Sequence, residues 1–72
     1  MAKRIEVARL GQETTRLALP DDANIEDVLR AAGIELSEGE EVRIDGDDMD
    51  VDSDYVPEDG DLVVVAPKSK QG

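Results

Sequence analysis

One stretch of this chain reads as a helix, and only one, so any core it builds must be a sheet covered by a single helix. Ile25, Val28, Leu29 and Ala32 fall at i, i+3, i+4 and i+7, which lines one helical face. Both ends are marked. Asn24 can accept the orphan N–H groups of the first turn, and Asp27, three residues on, completes a capping box. Glu26 and Asp27 place negative charge at the positive end of the dipole. Gly33 stands where a left-handed residue closes a helix, and Ile34 follows where a hydrophobic contact accompanies that closure. The spacing predicts a helix over Ile25–Ala32.

The flanking segments read as strands. Residues 3–10 alternate with Ile5 and Val7 on one side and Arg4 and Glu6 on the other. Ala8 and Leu10 fall in the opposite phase, which points to a bulge or a bend near Arg9. Gly11-Gln12-Glu13 is a turn, and Thr15, Leu17 and Leu19 alternate up to Pro20, which has no N–H to give a ladder. After the helix, Val42 and Ile44 alternate with Glu41, Arg43 and Asp45, and Asp45-Gly46-Asp47-Asp48 is turn chemistry. Met49 and Val51 predict a short return strand. Pro57-Glu58-Asp59-Gly60 turns the chain into Leu62-Val63-Val64-Val65-Ala66, a run apolar on both faces that belongs in mid-sheet. The order β, β, α, β, short β, β with one amphipathic helix is α+β in two layers. The most apolar strand, the last, is expected at the centre beside and parallel to the first. Residues 1–67 are expected to form one domain and residues 68–72 a flexible polar tail.

Composition removes many functions. The 72 residues contain no Cys and no His, which excludes disulfides, thiolate nucleophiles, cysteine zinc sites and imidazole catalysis. Ser37, Ser53 and Ser69 have no imidazole to activate them, and carboxylate pairs such as Asp47 and Asp48 fall in solvated turns, so the chain is read as no enzyme and as needing no cofactor. A formal charge of −11 repels phosphate backbones and anionic membranes. The longest apolar run is too short to span a bilayer. A monomeric cytoplasmic domain is expected.

The chain resembles the β-grasp, or ubiquitin-like, superfamily over nearly its whole length. The likeness rests on the early hairpin, on Leu19-Pro20-Asp21-Asp22-Ala23-Asn24-Ile25-Glu26-Asp27-Val28-Leu29, on Val42-Arg43-Ile44-Asp45-Gly46, and on Glu58-Asp59-Gly60-Asp61 before the last strand. That tetrapeptide is similar to the turn before the closing strand in sulfur carriers, the type that holds the thiamine sulfur carrier and the small subunit of molybdopterin synthase. TGS regulatory domains use a similar turn. The resemblance implies a mixed four- to five-stranded sheet with one helix packed across it. It also implies a non-enzymatic module that binds another protein. In the sharper form it is a carrier or modifier whose terminal carboxylate is activated by an adenylating or sulfur-transfer enzyme. Family tails close with Gly-Gly. Here Gly72 matches and Gln71 departs, while Lys68 and Lys70 suit a tail that reaches an acidic or nucleotide-bearing cleft.

Two further candidates come from the residues. Val42, Ile44 and Val64 are candidates for an open sheet face that docks a partner, as ubiquitin-like domains often do. Asp48, Asp50, Asp52, Asp54 and Asp59 match the first, third, fifth, seventh and twelfth ligand positions of a calcium loop, although Ser53 replaces its turn glycine and no second helix follows. A TGS-like ligand-sensing domain or a cation-stabilised acidic module is therefore the alternative.

Overall fold

The computed structural model describes residues 1–9, 11–46 and 50–67. Four strands and one helix follow in the order β1 (Ala2–Arg9), β2 (Thr15–Pro20), α1 (Ile25–Ala32), β3 (Glu40–Ile44) and β4 (Leu62–Pro67). The sheet order is β2-β1-β4-β3. β1 and β4 are parallel and central, with Val7 opposite Val63 and Ala8 opposite Val64. The two outer pairs are antiparallel, Ile5 facing Leu17 on one side and Val42 facing Val65 on the other. No helix among the described residues is long and apolar enough to cross a membrane.

The core is the inward phase of each central strand laid against the helix stripe. Ile5, Val7, Val63 and Val65 pack with Ile25, Val28 and Leu29, and Val42 and Ile44 close the cluster from β3. The helix is held at both ends as its sequence requires. Asn24 Oδ1 accepts the Asp27 N–H at 2.9 Å, and the Asn24 N–H donates to Asp27 Oδ2 at 3.2 Å. Gly33 takes a left-handed φ of 73°, and its N–H donates to the Arg30 carbonyl while the Ile34 N–H donates to that of Leu29. The first-turn N–H groups of Ile25 and Glu26 donate to the carbonyls of Tyr55 and Ser53, so the loop before β4 is fastened over the helix N-terminus.

Two local expectations fall partly on Leu10 and Met49, which lie outside the described residues. β1 pairs without interruption to Arg9, so no bulge occurs in residues 2–9; the ladder to β4 fixes the phase that Ala8 had left ambiguous. The return after β3 makes a single bridge, Arg43 to Asp50, with the Val51 N–H donating to the Val42 carbonyl at 2.8 Å.

Candidate functional site

Among the described residues the one helix covers one face of the sheet and leaves the other open, and strand phase decides which residues occupy it. Lys3, Ile5 and Val7 point toward the helix, so Arg4, Glu6 and Ala8 point away. The parallel register carries that phase into β4, where Leu62, Val64 and Ala66 share the open face with Ala8. From β3, Arg43 lies beside Val64 and Glu41 beside Ala66. The result is a half-buried apolar strip along the two central strands. Its charged border is already paired: Arg16 with Glu6 at 3.2 Å, and Arg43 with Glu41. Beside it, β1 and β2 form a shallow concavity of about 490 Å³ lined by Arg4, Glu6, Arg16 and Ala18.

Val64 lies on the open face, whereas Val42 and Ile44 do not. Both belong to the buried phase of β3, opposite Val65 and Val63, and both face the helix core. Alternation alone could not separate these phases, because either set of β3 residues satisfies period two. Leu62, Ala8 and Ala66 were missed for the same reason: only register shows that they are neighbours of Val64.

The acidic candidates are dispersed. Asp50, Asp52 and Asp54 are exposed, and Asp48 lies outside the described residues. Asp59 has another task. Its Oδ1 accepts the Arg4 N–H at 2.7 Å, while the Gly60 N–H donates to the Arg4 carbonyl at 2.8 Å. Asp61 Oδ2 accepts the Glu58 N–H at 2.8 Å, and the Asp61 carbonyl accepts from Glu6. The Asp-Gly-Asp turn is thus a clamp that sets the register of β4 on β1. Among the described residues, no group of three or more acidic side chains is placed to hold a metal ion. Gly72, Gln71, Lys68 and Lys70 lie outside the described residues.

Sequence reasoning passed over Lys3. It is 3 % exposed, and its Nζ donates to the carbonyls of Asp21 at 2.9 Å, Ala23 at 2.7 Å and Pro57 at 2.7 Å. Three ammonium protons meet three acceptors, which is how a buried lysine is tolerated without a carboxylate partner. The signal was its place in the inward phase of β1, two residues before Ile5. At the other end of the sheet, Glu40 Oε1 accepts the Ser37 N–H and an Arg9 Nη2 proton, both at 2.9 Å. The Ser37 N–H foremost, and then Arg9, hold this carboxyl below the usual carboxylate range against an opposing effect of burial.

A parallel central pair joined to outer antiparallel strands, with one helix across them, defines a β-grasp, ubiquitin-like protein. The family model described as Mut7-C ubiquitin matches residues 7–72, and the chain belongs to that family. Its fold is similar to that of small archaeal modifier protein 1 of Haloferax volcanii, with a TM-score of 0.74 and 18% identity, covering 93% of this chain and 99% of that one. It is also similar to the ubiquitin of Caldiarchaeum subterraneum, with a TM-score of 0.64 and 14% identity over 100% of both chains. The ubiquitin-like domain of mouse tubulin-specific chaperone e gives a TM-score of 0.59 and 13% identity, over 99% of this chain and 91% of that one. At these identities the likeness is one of fold. No curated protein matches the sequence.

Proposed function

We propose that this chain is a carrier or modifier protein that works by docking on a partner, with no catalytic group of its own. The observation that supports it most is the apolar strip of Ala8, Leu62, Val64 and Ala66 on the uncovered sheet face of a Mut7-C ubiquitin chain. The partner class that suits it is an adenylating or sulfur-transfer enzyme. The likeness in fold to small archaeal modifier protein 1 supports the same reading.

In its sharper form the segment 68–72 enters the partner's active site and the Gly72 carboxylate is activated. A carboxylate oxygen attacks the α-phosphorus of ATP, the bond to the β-phosphate breaks, and pyrophosphate leaves with the electron pair. The terminal sulfur of a partner persulfide then attacks the acyl carbon and AMP departs, leaving an acyl disulfide; a second thiol attacks the partner's own sulfur, forms a disulfide with it and releases the chain as a terminal thiocarboxylate. Glycine suits the threading step because it adds no side chain to the channel wall. Gln71 is the departure that this form must accommodate.

The test is intact-mass measurement after incubation with ATP and an adenylating enzyme from the same genome, with a sulfur donor. Exchange of one oxygen for sulfur, abolished by Gly72→Pro, is expected. No mass change with any such enzyme removes the carboxylate step and leaves the docking module to be judged by Val64→Asp, which is expected to abolish partner binding.

A further inference from the structure

At the β3 edge of the sheet, α1 and β3 leave a groove of about 300 Å³ that meets the border of the open face at Glu41. Its floor is apolar: Ile25, Leu29, Val42 and Val51, with Leu36 standing at its mouth 45% exposed. Among the described residues, Leu36 is one of the few large hydrophobic side chains left in water. The rim carries Glu40, Glu41, Asp50 and Asp52. Arg9 neutralises Glu40 and Arg43 neutralises Glu41, whereas Asp50 and Asp52 form no ion pair among the described residues. Among the described residues no buried side-chain polar atom is left without a partner.

We infer that this groove is a second docking site, for a basic peptide segment that places an aliphatic side chain over Leu36 and Val51 and its cations against Asp50 and Asp52. An apolar floor under an anionic rim asks for an apolar anchor flanked by Lys or Arg, because an acidic or neutral segment would leave the two carboxylates uncompensated as water is expelled. The charge of −11 draws such a segment toward the chain and disfavours a second copy of the chain itself. The volume is at the lower end for ligand clefts, which suits one or two aliphatic side chains rather than a folded element. This site shares with the open face only the border residue Glu41 and does not depend on activation at Gly72.

The experiment uses a fluorescein-labelled peptide with a Leu-Leu pair between two Lys-Arg pairs, and a control with Glu in place of each basic residue. Binding is followed by anisotropy, and its location by amide shifts of the labelled full chain. Saturable binding of the basic peptide alone is expected, with shifts at Leu36, Val42 and Val51. Leu36→Asp is expected to weaken it about tenfold, the loss of one apolar anchor. Asp50→Lys with Asp52→Lys is expected to weaken it similarly, and Val64→Asp to leave it unchanged. Equal binding of the control peptide, shifts confined to the open face, or concentration-dependent shifts at Leu36 without peptide would each overturn the assignment, as would no binding at millimolar peptide.

Discussion

Lys3 donates from Nζ to the Pro57 carbonyl at 2.7 Å, across a sequence separation of 54 residues. The same ammonium holds the carbonyls of Asp21 and Ala23, so the start of β1, the loop into α1 and the loop into β4 meet at one buried charge. Replacing it by an apolar side chain of similar length strands three acceptors. Lys3→Met is predicted to cost about 2–4 kcal/mol, read from urea denaturation. In the native chain an amine-reactive ester is expected to label Lys3 only at the rate of unfolding, as peptide mapping would show.

The Asp-Gly-Asp clamp makes a second prediction. Asp59→Ala leaves the Arg4 N–H to water, since this bond lies at the surface, and is expected to cost about 0.5–1.5 kcal/mol. Gly60 has a φ of 90°, and a Cβ built there meets nothing within 4 Å. The cost of Gly60→Ala is then one of backbone conformation alone, about 1–2 kcal/mol. Thermal melts of the two variants check both values.

Core and surface positions on neighbouring strands should behave oppositely. Ile44→Ala removes a buried side chain beside Val63 and is predicted to cost about 2–5 kcal/mol. Val64→Asp, on the open face of the adjacent strand, is expected to cost about 1 kcal/mol and to abolish partner binding. Denaturation and a binding titration on the same two variants separate the roles.

Glu40 gives the pH dependence a sign. Its folded carboxyl lies below its ordinary value of 4.5, so the unfolded chain binds the proton more readily. The stabilisation is present above that ordinary value and is lost as pH falls through the lower folded value. Glu40→Gln is expected to flatten this part of the acid limb, seen in urea midpoints measured from neutral pH downward.

Much of this molecule is legible in its amino-acid sequence. The helix was marked by its stripe, Asn24 and Gly33, all local signals, and the apolar run at 62–66 could only be central. The open face was not legible, because it depends on register. Val42 and Val64 look alike in sequence, and only the pairing of Val42 with Val65 puts one inside and the other out. Asp59 looked like a ligand because alternating aspartates resemble a calcium loop, and its actual partner, Arg4, is 55 residues away. Lys3 was hidden by its type: a charge near a chain start is ordinarily solvated, and its three acceptors are contributed by two distant loops.

Docking through the open face is tested most directly by mapping the footprint of an adenylating enzyme on the isotope-labelled chain. Loss or shift of the amide signals of Ala8, Leu62, Val64 and Ala66, with the exposed side of α1 at Glu26 and Arg30 unaffected, is the predicted result. A footprint centred on α1 that leaves those four amides unchanged would contradict it.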